Sequence, residues 1–245
     1  VAAMDALLAS AGEEDWSRIV VEGWTLQELV AHLAAKDGLL AAAVGAPVLG
    51  PALAATDSMG RTRDVQAYER ERGPEQTRRD WRAQADALCR HVTGLPPTAP
   101  AALDGLEFPI RDHLLGRTLE TWVHTSDAAT TAGLSLPDPV PEHIAPTADL
   151  CARLLPFTMF LSGLDGAGRT LHLTLTGPGG GEWLMPLGLE DTGPGDPDAR
   201  ITADAVAFCF LLGGRADPAG FPADLSGDLA LARDLLAAAP VLSGP

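Results

Sequence analysis

Apolar residues recur at helical spacing through the first half of the chain. Trp81, Ala85 and Leu88, for example, fall on one face of a helix. Thr25 and Glu28 form the S/T-x-x-E pattern of a capping box, which marks the start of another helix. The pattern predicts four helices, over residues 1–11, 25–45, 61–93 with a break at Gly73-Pro74, and 111–132. Because their faces are too apolar for solvent, we expect an antiparallel four-helix bundle.

The pattern changes in the second half of the chain. Prolines cluster over residues 133–146 and indicate a linker. Residues 169–176 then alternate apolar and polar positions, as a half-buried strand does, and 182–187 can pair with them across a glycine-rich turn. Further predicted elements are a helix over 147–162, a strand near 199–202, and helices over 203–212 and 227–239. We therefore predict a two-domain α+β protein, with the bundle over 1–135 and a smaller α+β domain over 146–245.

The composition narrows the classes of partner. The 245 residues carry a formal net charge of −16, and a chain this acidic repels phosphate backbones and anionic lipid. No uninterrupted apolar run reaches the length of a membrane span, and no secretory signal is visible. We therefore expect small-molecule partners, with no nucleic acid and no membrane.

The number and spacing of the cysteines bear on the chemistry of the protein and give little information about its fold. Cys89, Cys151 and Cys209 are widely separated, odd in number, and without any C-x-x-C motif. This pattern excludes a disulfide framework and a thiolate zinc site, and it suits a reducing cytoplasm. Each cysteine lies in an apolar helical context that is typical of a buried, inert thiol. If the protein performs thiol chemistry, we expect the thiol to come from outside.

Three side chains of the predicted bundle indicate a metal site. Glu120 and His124 are four residues apart and therefore share one face of the last bundle helix. His32 lies on the apolar face of the second helix. Two helices of one bundle can bring these two imidazoles and one carboxylate together, leaving a position open for water or substrate. Catalytic zinc and other divalent metals are commonly held in this way. We expect a divalent metal here, with zinc as the expected ion.

Other interpretations of these residues stay open. An ExxxH pair arises easily by chance, and a lone histidine such as His32 is typical of a hydrophobic core. Glu28 makes a second such pair with it, but the capping box already accounts for Glu28. Asp127, three residues after His124, could accept the imidazole's other N–H, or it could be a solvated helix acid. Arg117 could steady the carboxylate or lie at the surface.

The two segments that contain His32, Glu120 and His124 resemble segments of a known family. GWTLQELVAHL at 23–33 and RTLETWVHTSDAA at 117–129 resemble the mycothiol-dependent maleylpyruvate isomerases, which are DinB-like metalloenzymes with a four-helix bundle. LHLTLTGPGGGEW, ITADAVAFCFLLGGR and LSGDLALARDLL resemble the family's C-terminal, sterol-carrier-like α+β domain. The resemblance implies metal ligands at His32, Glu120 and His124. It also implies a substrate-binding or catalytic role for Arg215, at the end of the GGR turn.

The resemblance further implies a cytoplasmic enzyme with mycothiol as its thiol cosubstrate. The metal would activate the thiol for addition to an electrophilic carbon. A cis–trans isomerase of a maleylpyruvate-like acid would return the thiol, whereas an S-transferase would consume it. A non-catalytic small-molecule binding module is the third possibility. The metal content of the purified protein would distinguish such a module from a metalloenzyme. An anionic substrate needs a local cation in so acidic a chain, and Arg215 is a candidate, although helix C-termini also favour a solvated arginine.

Overall fold

The computed structural model describes residues 1–52 and 54–244. It divides into two compact units, Val1–Leu136 and Pro137–Pro245. Helices dominate the first unit, and the second unit contains a four-stranded sheet. The protein therefore has a mixed α+β architecture, as expected.

The first unit contains five α-helices and two short hairpins among the described residues. In chain order they are α1 (Ala2–Ser10), β1 (Ile19–Val21), β2 (Trp24–Thr25), α2 (Leu26–Ala43), α3 (Ser58–Arg70), α4 (Pro74–Val92), β3 (Pro100–Leu103), β4 (Leu106–Pro109) and α5 (Ile110–Thr131). Helix α2 packs against α3, α4 and α5, while α1 packs against α4 and α5. Each helix lies within three residues of its predicted bounds, because the apolar period and the caps are local signals.

Helix α2 is held at both ends by local hydrogen bonds. The backbone N–H of Thr25 donates to Glu28 Oε2 at 2.9 Å, and Thr25 Oγ1 accepts from the backbone N–H of Glu28 at 3.2 Å. This is the predicted capping box. At the other end Gly45 adopts φ +73°, which a residue with a side chain rarely does. Between these ends Leu29 and Leu33 are fully buried in the core, so α2 is the central helix of the unit.

The two hairpins were not predicted from the sequence. Each turns through two residues with positive φ, Glu22-Gly23 in the first and Asp104-Gly105 in the second. Such turns match the right-handed twist of the strands, and Asp-Gly is a typical sequence for them. The signal for the second hairpin was therefore present in the chain. The first hairpin leads directly into the N-cap of α2 and brings Trp24 to its first turn.

The second unit is built on one mixed sheet. Its elements are α6 (Pro141–Leu161), β5 (Thr170–Thr176), β6 (Gly181–Pro186), β7 (Ala199–Asp204), α7 (Ala205–Leu212), β8 (Ala223–Gly227) and α8 (Leu229–Ala238). The strand order is β6-β5-β7-β8, with β5 and β7 parallel and the other pairs antiparallel. Leu171, Leu173 and Leu175 of β5 are buried on one face, as the alternation predicted. Strand β8 was not expected.

Helix α6 corrects the expectation of a linker before residue 147. It begins at Pro141, so the prediction of a linker is wrong for 141–146. The reason is that proline fits the first position of a helix, where a backbone N–H would lack a partner anyway. By hydropathy α6 is also long and apolar enough to cross a membrane, although 50% of its most apolar stretch is buried within the protein. It packs against α7 and α8, as the core helix of a folded domain does.

Candidate metal centre

Two helices of the first unit bring His32, Glu120 and His124 together. His32 comes from α2, and the other two come from one face of α5. One ligand atom from each residue lies within 4.8 Å of the other two. Both imidazoles are almost completely buried, each with only 1% of its surface exposed. The three residues therefore form a cluster that can hold a metal ion.

The ring of His32 is oriented by partners on three elements. Its Nε2 lies 2.7 Å from Glu120 Oε1, and its Nδ1 lies 3.0 Å from Thr62 Oγ1 on α3. The ring of Trp24 lies 5.0 Å from it, centroid to centroid, and the ring of His124 lies 5.3 Å away. Because Thr62 engages Nδ1, the Nε2 atom faces the cluster. Sequence reasoning missed Thr62, since nothing local shows which face of α3 meets α2.

Burial sets the protonation state of His32. It lowers the pKa of the imidazole to about 4, even though Glu120 favours the charged form. The ring is therefore neutral at neutral pH. A neutral imidazole has a free lone pair, which is the form that binds a metal.

Glu120 belongs to a buried network of charges. Arg117 Nη1 donates to Glu120 Oε2, and Arg117 Nε donates to Asp37 Oδ1 at 2.9 Å. The carbonyl oxygen of Leu33 accepts from Arg117 Nη2 at 3.4 Å. Of the two alternatives for Arg117, the structure shows the one in which it steadies the carboxylate. Asp37 was missed by sequence reasoning, because its partner lies 80 residues away.

The network keeps Glu120 ionised. Burial alone would raise the pKa of its carboxyl group, but the Arg117 guanidinium and the hydrogen bond to His32 hold that pKa well below its usual value. Glu120 is therefore an anion at neutral pH. An anionic carboxylate beside the neutral imidazole of His32 is a suitable donor for a divalent cation.

His124 also has an acidic neighbour. Its Nδ1 lies 3.1 Å from Asp127 Oδ2, one turn further along α5. If that nitrogen carries the proton, Nε2 is left with a lone pair for a metal. This is the contact that the sequence offered as one of two alternatives for Asp127.

The donor set fits a divalent metal. It offers two imidazole nitrogens and one carboxylate, the combination found in many catalytic zinc sites. Each of the three side chains has a further hydrogen-bond partner, namely Thr62, Arg117 and Asp127. Metal ligands in proteins are usually held in this way. Within the described residues, this is the one cluster of three or more such side chains.

Residues 1–129 match the family model described as the mycothiol maleylpyruvate isomerase N-terminal domain. The chain belongs to this family. The match spans more than half of the chain and includes all three residues of the cluster. The resemblance drawn from the sequence is thereby confirmed.

Other relatives cover both units. Two uncharacterized proteins of Mycobacterium tuberculosis, from strains CDC 1551 / Oshkosh and ATCC 25618 / H37Rv, are 26% identical over 214 residues, which is 85% of this chain and 79% of theirs. Crystal structures of a mycothiol-dependent maleylpyruvate isomerase and of its histidine-to-alanine mutant superpose with a TM-score of 0.55 at 18% identity. The isomerase covers 92% of this chain and the mutant 91%, and 88% of each matched chain is covered. This likeness shows that the fold is shared.

Glu28 lies outside the cluster. Its carboxylate accepts from the backbone N–H of Thr25 and from Arg70, whose Nη2 lies 2.7 Å away. The capping box and this ion pair account for Glu28. In the structure Glu28, which forms the second ExxxH pair with His32, therefore does not add a fourth ligand.

None of the three cysteines belongs to the described cluster. Cys151 and Cys209 are buried, as expected, but Cys89 is exposed on α4, so the prediction of a buried thiol there is wrong. Partial burial nonetheless raises the pKa of the Cys89 thiol. A hydrogen bond to Cys209 and burial raise the pKa of Cys151 well above its usual value. None of these effects would activate a nucleophile.

Arg215 belongs to the second unit. It follows Gly213 and Gly214 at the end of α7, as the sequence indicated. Its backbone N–H donates to the carbonyl oxygen of Phe210 at 2.8 Å, and Gly214 has φ +71°. These features form a Schellman motif, which closes the helix. Its Nη1 donates to the carbonyl oxygen of Gly213 at 3.1 Å.

Proposed function

We propose that this protein is a mycothiol-dependent metalloenzyme that converts a maleylpyruvate-like unsaturated acid from the cis to the trans isomer. The observation that carries this proposal is the cluster of His32, Glu120 and His124, whose ligand atoms lie within 4.8 Å of one another. Membership of the family supports mycothiol as the cosubstrate and maleylpyruvate as the model for the substrate.

In this proposal the three residues hold one divalent ion, with zinc as the expected metal. A bound divalent ion lowers the pKa of a coordinated thiol, so that the thiol is deprotonated at neutral pH. The protein prepares the site by keeping His32 neutral and Glu120 anionic. Thr62 and Asp127 each lie against one of the two imidazoles and orient its ring.

The reaction uses the thiol as a reversible nucleophile. The thiolate sulfur of mycothiol adds to one carbon of the conjugated double bond, and the electron pair moves into the neighbouring carbonyl group. The former double bond is now single and can rotate. The electron pair then returns and expels the thiolate, which restores the double bond in the trans geometry and leaves mycothiol unchanged.

The first test measures metal content and turnover together. We expect His32→Ala and His124→Ala to lose most bound metal and the mycothiol-dependent isomerisation of maleylpyruvate, while the helical circular dichroism stays intact. The matched control is His143→Ala, because His143 is exposed on α6. Full metal occupancy in the His32→Ala, His124→Ala double variant would overturn the metal site.

The fate of mycothiol separates the related activities. An isomerase returns the thiol, so its concentration stays constant while many substrate molecules react. Stoichiometric loss of mycothiol, with a covalent adduct in the mass spectrum, would replace the isomerase by an S-transferase. Absence of both metal and turnover would instead leave a small-molecule binding module.

The thiol is expected to come from outside the protein. Replacing Cys89, Cys151 and Cys209 with serine, one at a time, should leave the mycothiol-dependent turnover in place. Some loss of stability at the two buried positions is expected, of about 1–2 kcal/mol each. Turnover without added mycothiol that vanishes in one of these variants would contradict the proposal.

We also propose that Arg215 binds or orients the substrate. A guanidinium can grip a carboxylate with two parallel hydrogen bonds, which an ammonium cannot do. We therefore expect Arg215→Lys to lose much of the activity while its metal content stays normal. The control is Arg233→Lys on the exposed face of α8. Equal activity in the two variants would leave Arg215 as a solvated arginine at a helix end.

The finer architecture belongs to the same proposal. We infer that the first domain, 1–135, is a DinB-like antiparallel four-helix bundle and that the second, 146–245, is a sterol-carrier-like module. The packing of α2 against three other helices supports the first inference, and the helix-covered sheet supports the second. A cytoplasmic location fits the thiol chemistry, and fractionation of cells that express the protein would test it.

A further inference from the structure

The chain contains a single lysine, Lys36, in a sequence whose formal net charge is −16. It lies on α2 four residues after His32, and therefore on the same face of the helix. Its Nζ donates to Ser58 Oγ at 2.5 Å. No carboxylate of the described residues lies within ion-pair distance of this ammonium group, although 33 acidic residues are present in the chain. Such a cation is available for an anion from outside.

Two hydrogen bonds define the position of Lys36 along the axis of α2 relative to the metal cluster. His32 pairs with Thr62, and Lys36 pairs with Ser58, so a step of four residues forward on α2 matches a step of four residues backward on α3. Lys36 therefore lies one helical turn beyond His32, with its side chain tied towards α3. One turn of a helix is about 5.4 Å long, which is within the span of a small dicarboxylic acid.

Helix α5 is antiparallel to α2 along this face. His32 pairs with Glu120, and Asp37 pairs with Arg117. Later residues of α2 therefore lie opposite earlier residues of α5. Gly116, four residues before Glu120, therefore lies at the level of Lys36 and on the face of Glu120. A Cβ atom added at Gly116 would meet no atom within 4 Å. The helix thus leaves open space next to the turn that carries Glu120.

We propose that Lys36 binds a carboxylate group of the substrate one helical turn from His32, Glu120 and His124, in the space left by Gly116. This inference rests on the proposed function and names a residue that selects an acidic substrate. The neighbouring cation, Arg117, is not available, because it is buried and already bonded to Asp37 and Glu120. Lys36 uses one of its three donors on Ser58, and two remain.

The charge of Lys36 acts on the cluster itself. It is one of the positive charges that lower the pKa of Glu120. In an acidic chain, a cation at this position offsets the repulsion of an anionic substrate. A second role is purely structural, since the bond to Ser58 ties α2 to α3. The test must therefore separate the charge of Lys36 from this tie.

Labelling with ¹³C-lysine gives a direct probe, because the protein has one lysine and therefore one set of lysine side-chain signals. Maleate serves as the ligand, and its neutral dimethyl ester serves as the comparison. We expect maleate to shift the Lys36 Cε–Hε signal in a saturable manner, and dimethyl maleate to leave it in place. This measurement needs neither mycothiol nor turnover. A Lys36 signal that maleate does not move would overturn the proposal.

Three variants separate charge from structure, each checked for unchanged metal content. Lys36→Gln should weaken maleate binding by about tenfold or more, as expected for the loss of a charge-assisted hydrogen bond. Ser58→Ala removes the tie but keeps the ammonium, and Arg63→Gln removes one exposed positive charge elsewhere on α3. Both should bind maleate within about twofold of the original protein. Equal weakening by Ser58→Ala and Lys36→Gln would show that Lys36 is structural, which would overturn the proposal.

Steady-state kinetics distinguish this inference from the proposed function. If the protein isomerises the acid, Lys36→Gln should raise KM for the substrate far more than it lowers kcat. Turnover with an unchanged KM would remove the role of Lys36 and leave the isomerase standing. Absence of any turnover, together with a maleate-dependent shift of Lys36, would leave the carboxylate site standing and remove the isomerase.

Discussion

At the scale of single residues, the hydrogen bond between His32 Nδ1 and Thr62 decides which ring nitrogen faces the cluster. Thr62→Val keeps the shape of the side chain and removes this bond. We expect the affinity for zinc to fall about 10–100-fold, as is typical when a partner of a metal ligand is lost. Competition with a chromophoric chelator measures this change.

Thr62→Ser is the matched control, because it retains the hydroxyl group. Its zinc affinity should stay close to that of the original protein. If the valine and serine variants bind zinc equally well, the orientation of His32 must come from its other neighbours, such as Trp24 and Glu120.

Arg117 is the second residue on which the cluster depends. It is buried between Asp37 and Glu120, and Arg117→Met would leave the buried carboxylate of Asp37 and the partly buried carboxylate of Glu120 without their cation. We expect a loss of about 3–5 kcal/mol in the free energy of unfolding, since removing one partner of a buried ion pair is strongly destabilising. Urea denaturation of the metal-free protein measures this loss.

Arg111→Met provides the comparison on the same helix. Arg111 is largely exposed, and its Nε lies 3.5 Å from Asp112. Its removal should change the free energy of unfolding by no more than about 1 kcal/mol. A similar loss in both arginine variants would mean that the buried network contributes no more than a surface ion pair.

At the scale of elements, the start of α2 determines where His32 lies. Thr25→Ala removes the acceptor for the backbone N–H of Glu28. We expect a loss of about 1 kcal/mol in the free energy of unfolding, the usual effect of losing an N-cap side chain. Thr118→Ala on the exposed face of α5 should change it by less than about 0.5 kcal/mol. Equal losses would show that the cap does not stabilise α2.

The elements also show where local signals suffice. The apolar period and the Thr25–Glu28 pair predicted α2 within two residues, because both act over a single turn. The hairpin at Asp104-Gly105 carried an equally local signal and was overlooked. By contrast, the start of α6 at Pro141 was missed because proline is compatible both with a linker and with the first turn of a helix.

At the scale of the whole molecule, the segment 134–138 joins two compact units. It has no regular secondary structure and is exposed throughout. We expect chymotrypsin to cut first after Leu134 and to yield two fragments that resist further digestion. Mass spectrometry of a time course identifies the site. Leu134→Asp should delay this cut, and a first cut within α2 or α5 in either protein would contradict the division into units.

The sequence by itself determined the parts of the site that lie on one element. Glu120 and His124 share a face of α5 because the helix repeats every 3.6 residues, and the capping box sets the start of α2. Only the tertiary structure decided which residues of other helices complete the site. Thr62, Asp37 and Ser58 reach their partners across 22 to 80 positions of the chain. Those contacts depend on how each helix is rotated and shifted against its neighbours, and the packing of the whole core sets both.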